Sequence, residues 1–113
     1  VLAPYGAGMA VTWEPEDALS ALRHMRNLSV GGKPLFVPAG NSGFGFVDAF
    51  NMDANWVSTN TFGIAHGPML LCIENARTGL IWELFHQNEH IAAGMERAGF
   101  VALPRPKDNL SIY

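Results

Sequence analysis

Apolar positions along the chain fall into three helical stretches separated by a long segment without period. Thr12-Trp13-Glu14-Pro15-Glu16-Asp17 reads as a helix start, with Pro in the first turn and acids at the positive end of the helix dipole. Ala18, Ala21, Leu22, Met25 and Leu28 then recur at helical spacing, with Arg23, Arg26 and Asn27 off that stripe. The pattern predicts an amphipathic helix over 15–28, ended by Gly31-Gly32 and Pro34. A second helix is predicted to open at Gly67-Pro68, fully apolar from Met69 to Ile73, with a bend at Thr78-Gly79 before Leu80–Phe85 resumes. A third runs from an Asn88 N-cap to Ala98, with Gly99 placed to stop it and Phe100 to touch Met95. Val1 to Val11 is small and apolar and fits either a short buried helix or an irregular lead-in.

Residues 31–63 read as one long connection rich in Gly, Asn, Ser and Thr, with apolar runs only at Leu35–Val37 and Phe44–Phe50. A loop of this length inside a compact domain is uncommon and usually functional. Gly40-Asn41-Ser42-Gly43 is a turn signal, and the segment after it carries Asp48, Asn51, Asp53, Asn55 and Trp56, polar and aromatic types suited to sugars. The tail from Val101 contains two prolines and is expected to trail as a strap.

Composition narrows the classes. At 113 residues the chain has room for one ordinary domain. A net charge of −3 gives no basic face for nucleic acid. The single Cys72 forms no internal disulfide, and no Cys/His spacing fits structural zinc. No apolar run approaches the roughly 20 residues needed to span a bilayer. Charged residues are only 15 %, against about 25 % in an average protein, and 49 % are hydrophobic. A domain this small needs more polar surface, not less. The expectation is a piece of something larger, or an oligomer; the start at Val1 without an initiator Met suggests processing, cloning or truncation.

Three strings then acquire a meaning together: GFGFVDAFNMDANWV (43–57), GIAHGPMLLCIENARTGLIWELF (63–85) and IAAGMERAGF (91–100), preceded by APYGAGMAVTWEPEDALSALRHM (3–25). In this order they resemble the C-terminal part of a bacterial carbohydrate-active family of glucoamylase-like proteins. That family includes endo-β-1,2-glucanases and the related domain of cyclic β-1,2-glucan synthases. The resemblance implies an all-α fold, an (α/α)₆ toroid of two concentric helical rings with a glycan cleft at one end. This chain would supply about four of its helices, with one long Gly/Asn-rich loop and at most short strands. Residues 1–113 would then be the C-terminal segment of a single domain, its partners a β-glucan and the rest of the ring, or a second copy through its apolar flanks. No cofactor and no metal are implied, and the glycan suggests a periplasmic or cell-envelope setting.

Glycoside hydrolysis normally needs two carboxyl groups across the scissile bond. Asp48, between Phe46 and Phe50, is the candidate catalytic carboxyl, because aromatic neighbours partly desolvate it; a loop Asp organising the Gly-rich turn is the alternative. Asn51 and Trp56 are candidate substrate-binding residues, Trp56 as a platform for a pyranose ring. Glu74 is a further one: burial on an apolar helix would raise its pKa, whereas Arg77 three residues on offers a salt link. The family typically reads Ile-Asp-x-Gly-Pro where this chain has Ile64-Ala65-His66-Gly67-Pro68. An acid just before the helix start would face the cleft, so Ala65 weighs against hydrolytic competence. It favours the alternative of a catalytically degenerate binding or interaction protein. His66 is expected either to take part in the site or to cap the helix. Trp82, on an apolar helix, is expected in the core.

Overall fold

The computed structural model describes residues 1–40 and 43–101. Asn41 and Ser42 of the anticipated turn, and the anticipated strap beyond Val101, lie outside them. The described residues form five helices and three two-stranded antiparallel ladders: α1 (Pro4–Ala10), α2 (Pro15–Arg26), β1 (Ser29–Val30), β2 (Lys33–Pro34), β3 (Phe36–Val37), β4 (Gly45–Phe46), β5 (Phe50–Asn51), β6 (Trp56–Val57), α3 (Gly63–Thr78), α4 (Leu80–His86) and α5 (Glu89–Arg97). The chain is mostly helical, as anticipated, with one helix more than expected. It separates into two units, Val1–Ile73 and Glu74–Tyr113, with the boundary inside α3.

In the first unit α2 behaves as its stripe predicts. Ala18 and Leu22 are buried, Ala21, Met25 and Leu28 are half-buried, and Arg23, Arg26 and Asn27 face solvent. Pro15 stands at N1, where its missing N–H costs nothing, and Glu16 and Asp17 occupy the first turn. The end of this helix leads into the core, a cluster of Val30, Leu35, Phe50 and Val57 with Met25, Leu28 and Val47 packed against it. Hydrophobic transfer of these four side chains, Val30 from β1, Phe50 and Val57 from the β5–β6 ladder and Leu35 from between β2 and β3, is what gathers the Gly-rich segment into a folded layer. The first residues are tied to the same layer, because Leu2 and Phe50 exchange backbone hydrogen bonds of 2.8 and 2.9 Å.

The long connection is therefore not one loop but three hairpins. Ser29 pairs with Pro34, Phe36 with Phe46, and Phe50 with Val57. Each strand is two residues, too short for any alternation to be read from sequence, which is why the segment looked structureless. Phe36 and Phe46 meet edge to face at 5.0 Å, and the Arg26 guanidinium sits 5.0 Å over the Phe36 ring. Gly43 is required by close approach, since a Cβ there would collide with the Val37 carbonyl and side chain.

Helix α3 begins at Gly63, one turn before the anticipated Gly67-Pro68 start. The Phe62 carbonyl accepts from the N–H groups of Ala65 (3.0 Å) and His66 (3.2 Å), so the first turn is closed ahead of Pro68. Pro68 lies inside the helix and forfeits only its own hydrogen bond.

In the second unit the α3–α4 junction is set by Gly79, whose φ of 73° breaks the helix. The α5 prediction holds in atomic detail. The Asn88 side chain accepts from the N–H groups of His90 (3.0 Å) and Ile91 (3.4 Å). At the other end Gly99 N–H reaches the Glu96 carbonyl and Phe100 N–H reaches that of Met95, the paired bonds of a Schellman stop. Neither α4 nor α5 contains a buried residue. Trp82, expected in the core, is 46 % exposed, and Leu84, Phe85 and Phe100 are exposed with it. The expectation failed because it took an apolar helix to be a covered one.

Candidate functional site

The residues suited to sugar chemistry are organised by the β5–β6 hairpin. Phe50 and Val57 point into the core, so their neighbours Asn51 and Trp56 must point out. Asn51 and Trp56 are direct cross-strand partners, and Trp56 is 47 % exposed. Sequence reasoning selected both residues singly, and the ladder places them side by side. The turn between them is held by the Asn51 side-chain oxygen, which accepts from Ala54 N–H at 3.2 Å, and by Asn55 at φ 49°. The Asn51 amide nitrogen is left for other work.

Asp48 precedes this hairpin on a backbone anchored at both sides. Val47 N–H donates to the Leu35 carbonyl, the Ala49 carbonyl accepts from Ser58 N–H, and Phe50 N–H donates to Leu2, each at 2.9 Å. The Asp48 side chain is half-buried, as its aromatic flanks imply, and it makes no hydrogen bond or ion pair among the described residues. Beside this stretch β3, β4 and residues 58–61 enclose an open depression of about 220 Å³, whose lining does not include Asp48, Asn51 or Trp56.

His66 joins helix to hairpin. Its Nε2 lies 2.9 Å from the Phe46 carbonyl on β4, and its Nδ1 lies 3.2 Å from the Phe62 carbonyl that also caps the α3 start. The ring lies between these two backbone carbonyls, a neutral imidazole donating to one of them, and neither contact caps a helix N–H. No spacing rule signals a contact across twenty residues of Gly-rich chain. Ala65 is in the first turn of α3 rather than before it, and only 5 % exposed. In this chain its side chain is buried within the first unit.

Glu74 belongs to the second unit. Arg77 Nε donates to its Oε2 and Arg77 Nη2 to its Oε1, both at 3.0 Å, a two-pronged salt link. The Thr78 hydroxyl lies 2.9 Å from Oε1, and it also accepts from Leu80 N–H at 3.1 Å. The Asn75 side-chain oxygen accepts from Trp82 N–H at 3.0 Å. The Glu-Asn-x-Arg-Thr run therefore builds the turn into α4. The Thr78 hydroxyl bond, and after it the Arg77 bond, hold the Glu74 carboxyl below its ordinary value of 4.5, the reverse of the rise expected from burial. A depressed carboxyl stabilises the fold above its unfolded pKa, and that contribution is lost as pH falls through the lower folded value. Amide exchange at Asn75–Gly79 is expected to accelerate as pH drops below 4.5 after correction for intrinsic rates. Glu74→Gln should flatten that dependence.

Among the described residues no group of three or more His, Cys, Asp or Glu is placed to hold a metal ion, and no helix is long and apolar enough to cross a membrane.

The profile of the Glycoamylase family, described as "Putative glucoamylase", matches residues 1–89. The chain belongs to this family. The match takes in both α2 and the whole of the three-hairpin layer, so the family is defined here by the elements that carry the candidate site. An exo β-1,2-glucooligosaccharide sophorohydrolase (non-reducing end) from Parabacteroides distasonis is 35 % identical over 97 residues. That alignment covers 85 % of this chain and 12 % of the relative, so the chain spans about an eighth of that protein's length. No solved structure matches the chain significantly.

Proposed function

We propose that this member of the Glycoamylase family is the C-terminal part of an (α/α)₆ glycoside-hydrolase domain that acts on β-1,2-linked gluco-oligosaccharides. Residues 40–62 line the glycan cleft. Asp48 is the carboxyl group this segment contributes to proton transfer at the glycosidic oxygen, and Asn51 and Trp56 hold a glucose unit. The second carboxyl comes from another part of the ring, and its distance from Asp48 sets the stereochemical outcome. His66 positions the strand before Asp48, and Glu74 maintains the helix junction. A cell-envelope or periplasmic setting follows from the glycan.

The observation that carries this reading is the outward Asn51–Trp56 pair on a hairpin preceded by Asp48, a half-buried carboxyl with no partner among the described residues. Support for a larger ring comes from the uncovered apolar residues of α3, α4 and α5, among them Ile64, Leu70, Leu84 and Phe85. Soluble monomers rarely expose contiguous apolar patches beyond a few hundred Å². The relative's printed activity supplies the linkage.

Ala65 favours a second reading, a glycan-binding protein that has kept the scaffold and lost hydrolysis. One experiment divides the two. The intact protein, assayed for reducing-sugar release from β-1,2-gluco-oligosaccharides and in parallel for binding them, is expected to do both. Binding without release selects the second reading, and the absence of both overturns the carbohydrate assignment.

A further inference from the structure

The depression beside the candidate site has a composition of its own. Val37, Phe46 and Val47 supply apolar lining, Thr59, Asn60 and Thr61 supply polar groups, and among the described residues no charged or His side chain lines it. Phe44 stands at its edge with 78 % of its surface exposed. We infer that this depression is a subsite for one neutral glucosyl ring, with Phe44 as its stacking platform and Asn60, Thr59 and Thr61 as its hydroxyl-binding groups. The inference rests on the carbohydrate reading above and assigns a second sugar position, separate from Trp56.

Size and polarity both select the ligand. About 220 Å³ is below the roughly 300–1,000 Å³ of sites that enclose drug-sized molecules, which leaves room for a single ring. Among the described residues no cation lines the depression to pair with the charge of a phosphate ester or nucleotide, which favours a neutral ligand. A pyranose in the β-gluco configuration carries C–H bonds on its faces and hydroxyls around its edge. It therefore matches an aromatic face with amide and hydroxyl groups at the margin.

The polar groups are also available. The Ser58 hydroxyl is consumed locally, donating to the Asn60 carbonyl and accepting from Asn60 N–H at 3.3 Å each. That turn is itself pinned by the 2.9 Å bond from Ser58 N–H to the Ala49 carbonyl. The side chains of Thr59, Asn60 and Thr61 have no hydrogen-bond partner among the described residues and lie exposed on this fixed backbone. Opposite them the Phe36–Phe46 contact, the overlying Arg26 and the tight Gly43–Val37 approach hold the β3–β4 hairpin that carries Phe44. These contacts fix the backbone that carries Phe44, so less ordering is left to occur on binding.

The test uses D-glucose, which no glycosidase cleaves, titrated into the intact protein and followed by NMR, alongside KM for a β-1,2-gluco-oligosaccharide. Phe44→Ala is expected to weaken glucose binding about 10-fold or more and to raise KM, while Phe44→Tyr keeps the platform and stays within about 3-fold. Asn60→Ala is expected to weaken glucose binding several-fold without loss of the folded-state spectrum. An unchanged glucose isotherm in Phe44→Ala and Asn60→Ala, with oligosaccharide cleavage intact, overturns the subsite and leaves the carbohydrate reading standing. Failure of the unmodified protein both to bind and to cleave β-1,2-gluco-oligosaccharides overturns the two together. Phe44 is exposed, so its removal should not unfold the chain; if the melt shifts, Asn60→Ala and Phe44→Tyr decide.

Discussion

Asp48→Asn is expected to lower the turnover of a β-1,2-gluco-oligosaccharide by the intact protein by about 10²–10⁴-fold, the range that a positioned proton-transfer group supplies. The amide has nearly the same volume as the carboxyl and no internal hydrogen bond to break, since Asp48 makes none among the described residues. Thermal stability should therefore stay within about 0.5 kcal/mol of the parent. That separation of effects is the informative part. A structural Asp that organises a Gly-rich turn would cost stability when changed to Asn and would alter turnover only through misfolding. Asp53, exposed in the β5–β6 turn, supplies the comparison, and Asp53→Asn should leave both quantities nearly unchanged. Wild-type turnover in Asp48→Asn would remove Asp48 from the chemistry and leave Asn51 and Trp56 as binding residues only.

Phe50→Ala is expected to have the largest effect on stability, a loss of about 3–5 kcal/mol read as a shift in the denaturation midpoint. Phe50 is 1 % exposed and lies in the cluster formed with Val30, Leu35 and Val57. Its backbone exchanges both hydrogen bonds with Leu2, so the cavity would open where the chain start and the hairpins meet. Since a domain has only about 5–15 kcal/mol in hand, one substitution takes a large share of it. The neighbouring Met52, 56 % exposed in the turn, should tolerate Ala within about 0.5 kcal/mol. Because Phe50 is next to Asn51 and two residues after Asp48, Phe50→Ala should also depress activity at temperatures well below its own melt. A loss under about 1 kcal/mol would mean that the hairpin layer is not the core of this unit.

Features fixed by neighbours within one or two turns were legible in the chain. The apolar stripe of α2 appears as buried Ala18 and Leu22, because helical spacing alone determines which side chains share a face. The Asn88 cap and the Gly99 stop were readable because each is a local hydrogen-bond solution to a helix end. Glu74–Arg77 was readable from its three-residue separation, and the salt link lowers the Glu74 carboxyl as such a pair should. The largest cause of that lowering, the Thr78 hydroxyl, was not, because no sequence pattern reports its rotamer. The family was legible too, from strings that run through the same elements as the matched residues 1–89.

The start of α3 misled for the opposite reason. Gly67-Pro68 is a sound local signal for a first turn, yet the helix already runs from Gly63. The first turn is closed by the Phe62 carbonyl, and His66 in that turn also reaches Phe46 on β4, a contact from outside the helix. Tertiary contacts routinely override a weak local preference, because one well-placed bond is worth as much as the propensity difference between two starts.

From its residues alone, then, this protein sets its helices, their caps, its family and the short list of sugar-suited side chains, all quantities that depend on near neighbours or on composition. Folding in three dimensions decided which of those side chains stand together. The Asn51–Trp56 pair and the contact of His66 with the Phe46 carbonyl arise from two-residue strands in a Gly-rich segment. Strands that short carry no period, and the contacts that place them join residues far apart in the chain, so no local rule encodes them.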